Sequence, residues 1–364
     1  MLRKLCVNRI LSNVRLDSSV GLRRGETRGT VRYLADQARA GSQVNLGEQI
    51  FVMILNVVTQ MLWGATVEEE EREIVGAEFL ELVQEMNDLL MVPNISDFFP
   101  ALNRFDLQGL AKRMRGLAQR LDRLFDRVIN QRLGMDKGSE GKGEDFLEVL
   151  LKIKDEEEGQ TNLNMNDVKA LLMFAMAELI NKPDIMKRAQ QELDEVVGKD
   201  KIVEESHIPK LPYILAIMKE TLRLHMVAPL LIPHRPSQTT VVGGFTIPKD
   251  SKVFINVWAI HRNPNVWENP LEFDPNRFLD KSYDFNGNDF NYIPFGAGRR
   301  ICVGMAMGER IVLYNIATLL HSFDWQLPRG ERMEVEEKFG IALKLKNPLL
   351  TTPVLRLSDP NLYL

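Results

Sequence analysis

Residues 295–304 read Phe-Gly-Ala-Gly-Arg-Arg-Ile-Cys-Val-Gly, and this run places one cysteine, Cys302, in a glycine-loosened loop ahead of a long apolar segment. Gly296, Gly298 and Gly304 allow positive φ and let a flat ligand approach the backbone. Arg299 and Arg300 put positive charge beside the sulfur. The segment from Val303 to Phe323 is apolar nearly all round, which predicts a buried helix. A cysteine at such a helix N-terminus has its thiolate favoured by the dipole, the unpaired N–H groups and the arginines. A stabilised thiolate in a dry pocket suits the role of axial ligand to a haem iron.

The fixed positions of F-x-x-G-x-R-x-C-x-G are all met, by Phe295, Gly298, Arg300, Cys302 and Gly304. The loop resembles the haem-binding loop of the cytochrome P450 monooxygenases, plant microsomal type. Working outward, Lys219-Glu-Thr-Leu-Arg223 lies in a stretch, Ile214 to His225, with apolar residues at helical spacing. Glu220 and Arg223 are three apart and share one helix face. The resemblance implies that they lock with Arg277 of Phe273-Asp-Pro-Asn-Arg-Phe278 and so hold the cysteine loop. Bidentate guanidinium–carboxylate geometry would make that triad specific. It also implies that Arg300, and His234 after Pro233, bond the haem propionates. Around Gly243-Gly-Phe-Thr-Ile-Pro248 the pattern predicts a hairpin of Thr239–Val242 with Val253–Val257, then a short helix in Trp258–Pro264.

The first half reads as helical: Asn45 to Trp63, Ile74 to Leu90 and Leu110 to Leu133, with a loop from Met91 to Phe105. Asp136–Glu144 and Lys154–Gln160 read as a loop and a solvated turn, too short for interdomain linkers. Pro93-Asn-Ile-Ser-Asp-Phe-Phe-Pro100 and Phe105-Asp-Leu-Gln-Gly109 extend the likeness to plant members of the family. The fold expected is mainly α with a small β region, a cytochrome P450-like helical fold that is incomplete, and residues 1–364 form one domain.

Two departures stand out. The family at the endoplasmic-reticulum membrane, on its cytosolic face, begins with an apolar anchor and several further elements. This sequence has no run of ~18 apolar residues, so a cytoplasmic or peripheral location is expected. Met1-Leu-Arg-Lys-Leu-Cys6 resembles the middle of a later family helix, where Arg3 would grip a haem propionate. Roughly a quarter of a family-length chain is missing upstream. Second, the family's central helix carries an (A/G)-G-x-(D/E)-T-(T/S) break above the iron, which manages protons for O–O cleavage. Here Asn166–Met173 resembles its entry and Phe174–Ile180 its exit, joined directly. About fifteen residues are lacking, about 22 Å of helix, yet the phase shift is only ~60°, so the join can stay helical.

With 364 residues, 46 basic and 50 acidic, the net charge of −4 argues against nucleic acid as a partner. Two cysteines, Cys6 and Cys302, give no disulfide framework and fit a reducing compartment. No zinc spacing, phosphate-cradling loop or Ser/His/Asp arrangement stands out. The resemblance implies a monooxygenase with haem b, an apolar small-molecule substrate, and electrons from NADPH through a flavoprotein, the NADPH-cytochrome reductase. The departures make impaired catalysis the expectation, with an inactive remnant or a haem-binding or helical interaction protein as alternatives.

Overall fold

In a computed structural model the chain is described at residues 11–64, 69–134, 147, 165–279, 283–328, 332–340 and 342–364. Arg3, Lys4, Cys6, Arg9, Thr161 and the segments 136–144 and 154–160 lie outside the described residues. The elements in chain order are α1 (Asn13–Ser18), α2 (Val20–Ala40), β1 (Val44–Asn45), α3 (Leu46–Trp63), α4 (Glu69–Met91), α5 (Ile95–Phe98), α6 (Leu110–Gly134), α7 (Met165–Asn181), α8 (Pro183–Val196) and α9 (Pro212–Leu224). There follow β2 (Thr240–Val242), β3 (Phe245–Ile247), α10 (Val257–Ile260), α11 (Met305–Ser322), β4 (Phe323–Gln326), β5 (Glu337–Lys338), β6 (Lys344–Leu345) and β7 (Leu350–Leu355). The fold is mainly α with a small β region, as its sequence implies.

Packing divides the chain into two compact units, one built mainly from Ile54–Thr161 and one from Cys6–Met53 with Asn162–Leu364. In the first, Val75, Leu82 and Leu89 recur every seventh residue and so line one stripe of α4; Leu117, Leu124 and Val128, spaced by seven and then four, line one stripe of α6. The two stripes share one apolar core with Trp63, whose ring meets Phe79 edge-on at 5.2 Å. The expected loop before α6 carries more structure than its composition suggests. Asn94 caps α5 by accepting from the Ser96 amide at 2.9 Å, and Pro100 opens a 3-10 turn to Phe105. Asp106 then starts α6 by accepting from the Ala111 and Lys112 amides.

The second unit is organised around α11. Its residues from Ile311 to Ser322 are all buried, in keeping with an apolar pattern that leaves no solvent face. The sheet order is β1–β7–β4, antiparallel, with Val44 opposite Thr351 and Phe323 opposite Leu355. Arg23, buried on α2, is held bidentately by Glu205 at 2.5 and 2.8 Å.

The hairpin differs from its sequence reading. β2 pairs with β3, Val242 opposite Phe245, and not with Val253–Val257. Gly243 and Gly244 both take positive φ, 59° and 84°, so the chain reverses at once in a two-residue turn. Val253 instead forms an isolated bridge with His234.

α7 runs unbroken through the Met173–Phe174 join, and Ala170 to Ile180 are all buried. By length and mean hydropathy, α3 alone among the described helices could cross a membrane, although 61% of its span is buried within the protein. The sequence-based expectation that no such stretch exists is therefore too strict: Asn56, Thr59 and Gln60 interrupt α3 but do not lower its average enough to exclude it.

Candidate functional site

The cysteine loop is shaped by its own backbone. The Cys302 amide donates to the Phe295 carbonyl at 2.9 Å, closing the loop on itself. Gly296 and Gly298 sit at φ 76° and 63°, and Gly304 is the N-cap of α11. Cys302 therefore stands at the start of an eighteen-residue helix and is exposed. Arg299 and Arg300 are exposed on the same loop, Phe295 is half-buried, and its ring meets Phe285 at 5.5 Å.

Beneath the loop, Ile293 and Ala297 pack with Met226, Leu231, Ile255 and Val257 in a small apolar cluster. Gly287, at φ 77°, lies behind it. A Cβ there would fall 2.9 Å from Ala297 Cα and from the Gly296 carbonyl oxygen, so only glycine permits this approach. The Asn-Gly pair at 286–287 was its sequence signal, but nothing in the sequence says what the turn packs against.

Glu220, Arg223 and Arg277 are brought together. Arg223 Nε and Nη2 reach the Glu220 carboxylate at 2.7 and 2.8 Å, both side chains fully buried, and Arg277 Nε approaches at 3.3 Å. The Asp274 amide adds a fourth donor at 2.8 Å. Arg223 also donates to the carbonyls of His261, Pro270 and Glu272, and Arg277 to those of Glu268 and Asn269. Every nitrogen of the Arg223 fork is thus used, which offsets the cost of burying the ion pair.

The lock communicates with the cysteine loop through His261, which sequence reasoning left inside a short helix without a role. Arg223 holds the His261 carbonyl at 2.9 Å, and the His261 ring accepts from the Ile293 amide through Nε2 at 3.0 Å. Burial, with the Arg223 charge nearby, lowers the His261 pKa to about 3, so the ring stays a neutral acceptor. Tyr292, next to Ile293, is fully buried and donates to the Lys219 carbonyl at 2.9 Å, a second tie from the loop's approach to α9.

His234 is half-buried and its backbone is bridged to Val253 at 2.8 and 2.9 Å. Its Nδ1 is buried without a hydrogen-bond partner among the described residues. An orphaned ring nitrogen, an exposed arginine, a thiol at a helix N-terminus and a glycine-bearing loop form a donor set that fits an iron porphyrin: a soft anionic ligand for iron, and N–H donors for propionates. Arg3, expected on the same group, lies outside the described residues.

The family model for cytochrome P450 matches residues 1–352. The chain belongs to the cytochrome P450 family. It is 40% identical to flavonoid 3'-monooxygenase CYP75B137 of Crocosmia x crocosmiiflora, over 98% of this chain and 74% of that one. With cytochrome P450 76C2 of Arabidopsis thaliana it shares 37%, over 97% and 73% of the two chains. Among solved structures, a zebra fish cytochrome P450 with progesterone superposes with a TM-score of 0.76 at 22% identity, covering 97% of this chain and 81% of that one, which speaks to the fold alone. The first of these alignments spans 383 positions, more than the 364 residues of this chain, so the P450 relative carries internal residues that have no counterpart here. As a P450 the chain is of the haem-dependent monooxygenase type, with haem b as cofactor and electrons from NADPH through a reductase.

Proposed function

We propose that Cys302 would supply the thiolate ligand to the iron of haem b, with Phe295, Gly298, Arg300 and Gly304 shaping the loop, and that Arg300 and His234 would engage the propionates. The observation that carries this reading is an exposed thiol at the N-terminus of α11, on a loop tied back through His261 to a buried Glu–Arg lock. The helix dipole and the neighbouring arginines favour the thiolate form that iron binds. When bound, haem supplies the reductive activation of dioxygen, one oxygen atom entering the substrate and the other leaving as water. The substrate is an apolar small molecule, and the plant relatives named for flavonoid hydroxylation favour an aromatic one. The family match over residues 1–352 favours one P450 domain for the whole chain.

Turnover by this chain is impaired. α7 reads Met-Asn-Asp-Val-Lys-Ala-Leu-Leu-Met-Phe-Ala-Met-Ala-Glu-Leu-Ile-Asn, with neither the glycine nor the threonine of the family's central break. Its one acid in the buried stretch, Glu178, is engaged by His225 at 2.9 Å and faces Lys182 at 3.9 Å, so it is not poised to replace the lost pair. The second reading is accordingly a haem-binding protein without hydroxylation.

A flavoprotein reductase would dock on the exposed Arg299 side of the loop, with association weakened by salt. Peripheral contact with a membrane is favoured by exposed Phe98, Phe99, Phe105 and Leu107 beside Arg104 and Lys112. A carbon-monoxide difference spectrum of the reduced protein tests the central assignment. The thiolate-haem band is expected in the parent chain and lost in Cys302→Ser. Its persistence in that variant would show that another group ligates the iron.

A further inference from the structure

His225 caps the C-terminus of α9, two residues beyond Arg223, and is 5% exposed. Both of its ring nitrogens face carboxylates: Nε2 meets Glu178 of α7 at 2.9 Å, and Nδ1 meets Glu337 of β5 at 3.0 Å. A neutral imidazole has one donor and one acceptor nitrogen. Its acceptor would set a lone pair against a carboxylate oxygen, whereas the doubly protonated ring donates to both. We propose that His225 is a buried imidazolium, clasped between Glu178 and Glu337, and that this clasp positions the central helix α7 against α9 and β5.

The surrounding charges support it from every packed element. Glu337 also accepts from Arg262 at 2.9 Å and from the Trp258 indole at 3.2 Å, groups from the turn after α10 and from α10 itself; the bond from His225 first, then these two, hold its carboxyl below the usual range despite burial. Arg262 in turn donates to the Leu224 carbonyl, beside His225. On α7, Lys182 lies behind Glu178. Arg223 on α9 is matched by Glu220 and does not compete. Burial opposes charge on His225, but the bonds from Glu178 and then Glu337 outweigh it and raise its pKa. The ring also stacks flat on Phe174, at 4.4 Å and 3°. Phe174 is the first residue after the join and lies one turn before Glu178, so the ring meets α7 at two successive turns of one face.

The clasp stands whether or not haem is bound. Its test is nitrogen NMR of the full chain labelled with ¹⁵N-histidine, the five histidines being separated by His225→Gln. One ring is expected to keep two protonated nitrogens at a pH above the ordinary imidazole value near 6.5, and to vanish in that variant. A pyridine-type nitrogen on His225 at neutral pH overturns the proposal, because the shared proton then sits on a glutamic acid. A raised pKa stabilises the fold fully below the unfolded value near 6.5 and loses that contribution as pH rises through the folded value. The parent melting temperature should therefore fall as pH rises through the folded value. Glu178→Gln should flatten the dependence. Should His225→Gln fail to fold, Glu178→Gln and Glu337→Gln supply the assignment, each moving the same pair of signals; if neither moves them, the clasp is not what holds the proton.

Discussion

The cysteine loop and the central helix α7 face opposite fates under sequence change. The loop rests on specific supports around it: Gly287 must lack a Cβ, position 293 must offer an amide to His261, and Arg223 must fork onto Glu220. In α7, Ala170 to Ile180 form a uniformly buried apolar stretch in which one turn resembles the next. Removing a segment from such a helix returns almost the same face to the core, because fifteen residues differ from whole turns by only ~60°. The packing that maintains a fold and the irregularity that performs chemistry are separate properties, and the second can be lost without a scar in the first.

The largest effect expected is at the lock. Arg223→Ala leaves Glu220 charged and buried, at a cost of about 3–5 kcal/mol. Soluble yield and thermal melting should collapse, with haem lost. A variant as soluble and stable as the parent would show that the loop does not depend on the lock.

The next test restores irregularity to α7. Hydroxylation by the chain as it stands should be undetectable, or at least about 100-fold below that of a variant with a family-like segment of about fifteen residues, containing Gly-Thr-Asp-Thr-Thr, between Met173 and Phe174. Product formation with reductase and NADPH reads the difference. Robust turnover by the parent chain would break the comparison, since some other group would then deliver the proton.

A smaller effect is expected at Gly287→Ala, where the added methyl meets backbone rather than a pliable side chain. The cost should be about 1–3 kcal/mol, with a shifted haem spectrum as the loop moves. The smallest is Gly244→Ala in the hairpin. Its φ of 84° is strained for alanine, but a Cβ meets nothing within 4 Å. A loss of about 1 kcal/mol in urea unfolding, with the spectrum unchanged, is expected. Any spectral change there would mean that the hairpin and the cysteine loop are coupled.

Much of this was legible from residue order. The helices follow apolar spacing, and Cys302 with its glycines and arginines forms a local pattern whose parts lie within ten residues. Glu220 and Arg223, three apart, were legible as a pair, and the family likeness named Arg277 as their third. What escaped was any role that depends on a distant partner. His261, His225 and Gly287 are ordinary residues until Ile293, Glu337 and Ala297 are brought beside them. The hairpin was misread for a different reason: two β-forming stretches competed for β2, and the Gly-Gly turn selected the nearer.

Two of the buried histidines, His261 and His225, differ in charge state, and together they confine the protein to a band of acidity. His261 is neutral as folded, with its pKa lowered to about 3 from an unfolded value near 6.5. Its contribution is whole above 6.5 and drains away as pH falls toward 3, by up to about 1.4 kcal/mol for each unit. His225 drains in the other direction, as its raised pKa is exceeded. Acid therefore loosens the cysteine loop at its anchor on Ile293, and alkali loosens the central helix at its grip on Glu178. A chain weakened at each edge through a different element should unfold from different ends at the two extremes of pH.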